Sequence, residues 1–152
     1  MHLILYNKDI RMRIFDWTAA HAVHVPEVDE EHRQIFRLCD DLERAMMAGA
    51  PASGVQAIVD DLVIHTAKHL AHEEHEMRAA GYPLYAWHHR QHHTARIRIK
   101  ALNRRIRRGD REAVLDLLEF LSSWLSNHIR LADRMLGAYL RNCQRAASAL
   151  LD

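Results

Sequence analysis

The sequence predicts an all-α protein: an antiparallel up-down-up-down four-helix bundle over residues 29–152, preceded by an irregular N-terminal arm over residues 1–28. Its 152 residues are enough for one domain with a single core. Five glycines and three prolines leave room for few turns, which favours long helices over many short strands. Apolar residues recur with a helical period in four stretches, and the last stretch continues to about residue 148 as a C-terminal helical extension.

The first two helices are each indicated by one buried stripe of apolar residues and histidines. Helix one is predicted over about residues 29–48, because Pro26 is expected to break any helix before it and Gly49-Ala50-Pro51 ends it. Its stripe comprises His32, Ile35, Phe36, Cys39, Leu42 and Met46. Helix two is predicted to begin near Ser53 as its N-cap and to end at Gly81-Tyr82-Pro83. Its stripe comprises Val55, Ile58, Val59, Leu62, His69, Glu73 and Met77.

The third and fourth helices are joined by a tight connection at Gly109-Asp110, where a glycine ends one helix and an aspartate caps the next. Helix three is predicted over about residues 84–108. Its stripe comprises Trp87, His88, His92, Ala95, Ile99, Leu102 and Ile106. The stripe of helix four comprises Val114, Leu117, Leu121, Leu125 and His128. Four such helices with short loops pack most simply as an antiparallel bundle.

The positions of the histidines are the most informative feature of the sequence, which contains thirteen of them. A single inward histidine is usually a core residue bonded to a neighbour, but here every predicted helix carries at least one. The inward set is His32, His69, His88, His92 and His128. His69 with Glu73, and His88 with His92, are spaced by one turn and project from one face. Neutral imidazoles and carboxylates are metal ligands, and burying them without a partner would cost several kcal/mol. The sequence therefore predicts a metal site inside the bundle.

Four segments carry these histidines together with further acidic and aromatic residues. They are Val28-Asp29-Glu30-Glu31-His32, His69-Leu70-Ala71-His72-Glu73-Glu74, Gly81-Tyr82-Pro83 with His88 and His92, and Trp124-Leu125-Ser126-Asn127-His128 with Asp133. In this order they resemble the motifs of the hemerythrin family, specifically the single-domain bacteriohemerythrins. The resemblance runs from Phe15-Asp16-Trp17 to about Asp133, which is most of the chain.

The resemblance implies a centre of two iron ions (Fe2+/Fe3+) joined by an oxo or hydroxo bridge. It implies one iron on His88, His92 and His128, a second on His32 and His69, and bridging carboxylates from Glu73 and Asp133. With the bridging oxygen the first iron has six ligands and the second has five. The second iron therefore keeps one position open, where molecular oxygen is expected to bind reversibly.

The wall of the oxygen pocket is expected to come from apolar residues that adjoin the two histidines of the open iron or His128. They are Ile35, Leu70, Trp124, Leu125 and Ile129. An apolar wall excludes water and offers no general acid or base to an organic substrate, which favours oxygen carriage, storage or sensing over catalysis.

The chain departs from the family pattern at Glu31, where Gln is common, at His24, where Gly is common, and at Leu70, where Phe is usual.

The spacing of His128 and Asp133 predicts an irregular helix. Five residues of ideal α-helix turn through about 500°, which would leave the two side chains roughly 140° apart. They can bind one metal centre only if the helix breaks or forms a π-type turn between them.

Other functions remain open at this point. A di-iron enzyme, such as a peroxidase, an oxidase or a nitric-oxide-handling protein, is the main alternative, although such enzymes usually carry Glu-x-x-His pairs that are lacking here. A sensor module or a purely structural metal bundle is a lesser alternative.

The charge distribution limits the expected partners. The net charge of +1 gives no reason to expect nucleic acid. No stretch is apolar and long enough to insert into a membrane, and the first residues do not resemble a secretory signal, so a cytoplasmic monomer is expected. The end of helix three is rich in cations: Arg96, Arg98, Lys100, Arg104, Arg105, Arg107, Arg108 and Arg111. They form either a solvated face that suits a helix C-terminus or a docking face for an acidic protein partner or a membrane surface.

Overall fold

The computed structural model describes residues 15–151. This range forms five α-helices: α1 (Pro26–Met47), α2 (Ala52–Ala79), α3 (Tyr85–Arg107), α4 (Glu112–His128) and α5 (Arg134–Ala149). The π-helical segment Ile129–Asp133 joins α4 to α5, and a short 3-10 turn, Ala19–His21, precedes α1. Residues 15–151 contain no strand. Half of the predicted arm, residues 1–14, lies outside the described residues, so the division into arm and bundle stays a prediction.

Contacts between neighbouring helices show that α1 to α4 alternate in direction. Near the start of α1, Glu31 contacts His72 near the end of α2. Near the start of α2, Asp60 pairs with Arg107 at the end of α3, with 2.6 Å between the charged atoms. α4 packs on both α3 and α1 and closes the bundle. The predicted all-α, up-down-up-down fold is therefore confirmed. None of the described helices is long and apolar enough to cross a membrane.

Two helices begin earlier than predicted, each at a proline. Pro26 does not break a helix but opens α1 as its first residue, because the N–H that proline lacks has no partner within the first turn of a helix. Pro51, not Ser53, precedes α2, and its carbonyl oxygen accepts bonds from the backbone of Gly54 and Val55 at 3.0 and 3.1 Å. The predicted cap at Asp110 is present, since its carboxylate accepts a bond from the backbone N–H of Ala113 at 3.2 Å.

The stripes predicted from helical periodicity form the core of the bundle. All their members are buried except three that are partly exposed, namely Met46, Ile58 and Trp87. Cys39, a member of the predicted stripe of helix one, is fully buried and free, and burial raises the pKa of its thiol. Such a thiol is inert, and it packs as a small apolar side chain.

The turn before α1 is held by a buried carboxylate. Asp29 accepts hydrogen bonds from the backbone N–H groups of Val23 at 2.8 Å and His24 at 3.1 Å. His24 itself has a left-handed backbone conformation, with φ of 60°. Glycine adopts that conformation freely, which explains in physical terms why glycine suits this position. The His24 side chain is exposed, so the departure from glycine affects the backbone of this turn.

α5 is fixed to the same turn by a close approach at Gly137. A Cβ atom added there would lie 2.5 Å from the carbonyl oxygen of Val23 and 3.2 Å from its Cβ. The Val23 carbonyl also accepts a hydrogen bond from the Arg141 guanidinium. The buried position of Gly137 therefore allows α5 to pack directly against the backbone that precedes α1.

We expect Gly137→Ala to lower the free energy of unfolding by about 2 kcal/mol, because the added methyl group must displace the Val23 backbone. The matched control is Gly54→Ala in α2, where the nearest atom to an added Cβ is in the Pro51 ring at 3.9 Å. That substitution should stabilise the helix by about 0.5 kcal/mol. Urea unfolding of both variants measures the difference, and equal effects of the two substitutions would contradict the proposed role of Gly137.

Candidate metal centre

The residues predicted to bind metal converge in the middle of the bundle, and each is at most 3% exposed. Their potential ligand atoms form two groups, each compact enough to surround one ion. The larger group comprises Glu73, His88, His92, His128 and Asp133. The smaller group comprises His32, His69, Glu73 and Asp133. Because Glu73 and Asp133 belong to both, the two groups are adjoining halves of one site.

In the larger group the three imidazoles face each other through their Nε2 atoms. The Nε2 atom of His128 lies 3.1 Å from that of His88 and 3.1 Å from that of His92. Asp133 Oδ1 is 2.9 Å from His128 and 3.0 Å from His88. Glu73 Oε2 is 3.2 Å from His92 and 3.5 Å from His88. The five side chains thus enclose one point.

The smaller group has the same arrangement with one histidine fewer. The Nε2 atoms of His32 and His69 are 3.1 Å apart. Asp133 contributes its second oxygen, Oδ2, at 3.1 Å from His32 Nε2. Glu73 Oε2 lies 3.7 Å from His69 Nε2. The Asp133 carboxylate therefore presents one oxygen to each group, as a bridging carboxylate must.

The chemistry of these side chains fits bound metal ions. Both carboxylates, Glu73 and Asp133, are buried, and none of their oxygens has a hydrogen-bond partner among the described residues, although histidine nitrogens lie close by. Neighbouring ligands on an octahedral ion with bonds of about 2.1 Å stand about 3 Å apart, which is the spacing seen here. Buried carboxylates without hydrogen bonds are costly, and a cation is the group that satisfies them.

The irregular helix predicted between His128 and Asp133 is confirmed. Residues 129–133 have π-helical hydrogen bonding, which fits five residues into about the arc that four occupy in an α-helix. Asp133 is 1% exposed and points into the site, so the π segment brings it to the same face as His128.

Three further residues of the site were not predicted, because they act on the other nitrogen of the histidines. The Nδ1–H of His69 donates to Glu31, that of His92 to Glu74 and that of His128 to Gln91, at 2.8, 3.0 and 2.9 Å. Such acceptors fix the orientation of a metal-binding imidazole and increase its basicity. The sequence signal that could have identified them is weak: each directly adjoins a proposed metal ligand along the chain.

The charges of the site shift its pKa values strongly. Burial lowers the pKa of His69, but Glu73 and the bond to Glu31 outweigh burial and raise it to about 9. Burial also lowers the pKa of His88, but contacts with Asp133 and Glu73 raise it to about 9. Conversely, burial and the neighbouring Asp133 raise the pKa of Glu73, but the histidines outweigh them and bring it to about 2.

These shifts predict how the stability of the metal-free protein depends on pH. The raised pKa values of His69 and His88 contribute stability below pH 6.5 that is lost as the pH rises through 9. The lowered pKa of Glu73 contributes stability above pH 4.5 that is lost as the pH falls towards 2. We therefore expect maximal stability between pH 4.5 and 6.5, and a loss of several kcal/mol by pH 9. Urea unfolding at a series of pH values tests this, and stability that rises from pH 6.5 to 9 would contradict it.

Four of the five residues expected to line an oxygen pocket are at most 1% exposed: Ile35, Leu70, Leu125 and Ile129. Trp124 is only half-buried. Its ring stacks on that of His128, with 4.4 Å between the centroids and 12° between the planes. It also lines a surface cleft of about 570 Å³ between α3 and α4. Trp124 therefore covers His128, one of the three histidines of the larger group, from the solvent side.

Comparison with known proteins gives a consistent result. Residues 23–140 match the family model "Hemerythrin HHE cation binding domain". A bacteriohemerythrin of Stenotrophomonas maltophilia is 32% identical over 119 residues, which cover 78% of this chain and 76% of the relative. A bacteriohemerythrin of Ralstonia nicotianae is 25% identical over 85% of this chain and 90% of the relative. A crystal structure of wild-type hemerythrin superposes with a TM-score of 0.76 at 29% identity and covers 82% of this chain and 96% of that one.

Proposed function

The chain belongs to the hemerythrin family, and from this premise we propose that it binds molecular oxygen reversibly at a non-haem centre of two iron ions. The observation that carries the proposal is the inequality of the two ligand groups, five residues against four, around shared carboxylates. An octahedral ion in the smaller group has one protein ligand fewer, so it keeps a position for a small molecule. Ferrous ions bound in both groups would together supply the electrons that reversible oxygen binding requires.

The chain's own residues would have distinct tasks. His88, His92 and His128 would hold the ion of the larger group, and His32 and His69 the ion of the smaller group. Glu73 and Asp133 would bind both. The apolar wall of Ile35, Leu70, Leu125 and Ile129 would exclude water from the open position, and Trp124, which stacks on His128, would instead cover the larger group. Each role is a proposal, supported by the burial and the spacing of the side chains.

Carriage, storage or sensing of oxygen is favoured over catalysis by the surroundings of the proposed ligands. Among the described residues the phenol of Tyr82 is buried near the site, but burial, Asp133 and Glu73 raise its pKa, so that it stays protonated and is a weak acid. Three other polar side chains are buried, namely Asp29, Thr66 and Glu74. Asp29 binds backbone N–H groups, and Glu74 binds His92 and Arg96. Thr66 is a hydroxyl that does not titrate near neutral pH. None of them is a free general acid or base for an organic substrate.

The decisive experiment is spectroscopic. Protein reconstituted with ferrous iron without air should hold two irons per chain, develop an absorption band in air and lose it under vacuum through several cycles. Fewer than two irons per chain, or a band that does not reverse, would contradict the proposal. Turnover of peroxide, nitric oxide or an organic substrate would instead favour the di-iron enzyme, which is the second candidate.

Leu70 offers a test of the pocket wall. It directly follows His69 and is fully buried, and it is smaller than the phenylalanine usual in the family. We expect Leu70→Phe to narrow access to the open position, so that azide binds to the oxidised protein severalfold more slowly than in the natural protein. Stopped-flow mixing measures the rate, and Ile58→Phe, at a partly exposed position of the same helix, is the control. If azide bound to Leu70→Phe as fast as to the natural protein or faster, Leu70 would not line the path to the open position.

The cationic end of α3 is partly neutralised within the chain. Arg96, Arg105 and Arg107 pair with Glu74, Asp116 and Asp60, at 2.6, 2.8 and 2.6 Å. Five cations of this set have no ion-pair partner within residues 15–151: Arg98, Lys100, Arg104, Arg108 and Arg111, of which Arg111 donates to the carbonyl oxygen of Ala50. An acidic protein partner at this end, a monomeric state and a cytoplasmic location all stay predictions.

A further inference from the structure

We propose that Glu31 and His72 form a positioning pair that holds His69, and through it the metal ion of the smaller group. The inference rests on the proposed function, because it concerns an ion that this group would bind. Glu31 lies on α1, and both histidines lie on α2. The pair therefore also ties together the two helices that supply the histidines of the smaller group.

Glu31 is fixed by both of its oxygens. Its Oε2 accepts the Nδ1–H of His69 at 2.8 Å, and its Oε1 accepts the Nδ1–H of His72 at 2.8 Å. The His69 side chain is 2% exposed, whereas those of Glu31 and His72 are about one-third exposed, at 33% and 34%. A carboxylate held at both oxygens cannot rotate away from the buried imidazole. His72 thus acts from the surface on His69, which it does not touch through a hydrogen bond.

The pair differs from the acceptors of the other buried histidines. His128 donates to the neutral amide of Gln91. His92 donates to Glu74, and the carboxylate of Glu74 also forms an ion pair with the guanidinium of Arg96, with 2.6 Å between nitrogen and oxygen. The Nδ1 atoms of His32 and His88 have no hydrogen-bond partner among the described residues. Of the acceptors that bind these histidines, Glu31 is therefore the one carboxylate that pairs with no arginine or lysine within residues 15–151.

This contrast has a chemical consequence for the smaller group. An anionic acceptor on Nδ1 makes the opposite nitrogen a stronger donor to a metal ion and keeps its ring in place. The smaller group has only two histidines, so its ion depends more on each of them than the ion of the larger group does. A glutamine at position 31, as is common in the family, would keep one carbonyl acceptor but remove the charge. The charge of the glutamate is therefore expected to lower the reduction potential at this ion, while the hydrogen bond that either residue provides keeps the imidazole in place.

The test compares Glu31→Ala, Glu31→Gln and His72→Ala with the natural protein, each loaded with two ferrous ions without air. Mixing with an excess of a chromogenic ferrous chelator measures the release of each ion. We expect Glu31→Ala to release one ion about tenfold faster and to leave the other unchanged. His72→Ala should accelerate the release of the same ion roughly threefold, because Glu31 then loses one of its two supporting hydrogen bonds. Gln91→Ala is the matched control: it removes the acceptor of His128, so it should accelerate the release of the ion of the larger group.

The charge of Glu31 is tested separately by the midpoint potential of the centre. Glu31→Gln should release iron at a rate within about twofold of the natural rate, because it retains an acceptor of the same length. Its potential should nevertheless move to more positive values, because a neutral acceptor stabilises the ferric state less. A merely structural role of Glu31 would leave the potential of this variant unchanged.

Several outcomes would contradict the proposed positioning role of Glu31 and His72. One is that Glu31→Ala releases both ions at the natural rates, and another is that it accelerates the release of both ions equally. The third is that Glu31→Gln has the same midpoint potential as the natural protein. His72→Ala changes a partly exposed side chain, so it remains informative if Glu31→Ala fails to fold. A natural protein that does not hold two irons would contradict the proposed function itself, whereas two irons with unaffected variants would contradict only the pair.

Discussion

Replacing Glu73 with alanine should reduce the iron content from two ions per chain to fewer than one. Glu73 belongs to both ligand groups, so its removal takes a ligand from each ion at once. It would also leave five buried imidazoles beside a single carboxylate, which cannot balance two divalent cations. Iron and protein assays on protein reconstituted without air measure the effect.

Two further variants separate loss of the ligand from loss of the fold. Glu73→Gln has nearly the same volume, so it should fold, yet a neutral amide cannot replace a bridging carboxylate and the iron content should fall as in Glu73→Ala. Glu76→Ala changes a partly exposed acid on the same helix and should keep both ions. A Glu73→Ala protein with two irons and the natural spectrum would disprove the bridging role.

Insertion of one alanine after Leu131 should abolish the metal centre, whereas deletion of Leu131 should preserve it. In the natural chain five residues separate His128 from Asp133, and the π segment compresses them into about the arc of four. Deletion leaves a spacing of four, which an ordinary α-helix brings to one face. Insertion leaves six, which neither an α-helix nor a single π-turn brings to one face.

Leu131 suits this test because it is 57% exposed and its removal leaves the buried Ala132 and Asp133 in sequence. Deletion also retains the rotational position of α5 relative to the bundle, so Gly137 still faces Val23. Iron content and circular dichroism distinguish the two variants. If both variants kept two irons, Asp133 would not be a ligand; if both lost them, the π segment would be required for a reason other than spacing.

The histidines could be predicted from the sequence because each lies on a stripe with a 3.6-residue period, and periodicity determines which face of a helix is buried. Asp133 could not be predicted in this way. Its spacing from His128 places it on the opposite face of an ideal helix, and only the resemblance to hemerythrins identified it. The irregular helix was then inferred from the conflict between spacing and role.

The residues that sequence analysis missed depend on distances between helices. Gln91 and Glu31 reach histidines that lie more than thirty positions away along the chain, and helical periodicity contains no information about such pairs. The start of α1 was misplaced because a proline was read as a helix breaker, although proline is well tolerated in the first turn. The contact of Gly137 with Val23 was missed because a glycine inside a helix has several explanations.

The two ligand groups draw on α1, α2, α3, α4 and the π segment, so they connect positions from His32 to Asp133. Ions bound there would act as cross-links between all four helices of the bundle. In the metal-free protein one helix can open while the others stay folded, and its amides then exchange with solvent independently. With both ions bound, the same opening must break ligand bonds, so amides in all four helices are expected to exchange only through global unfolding.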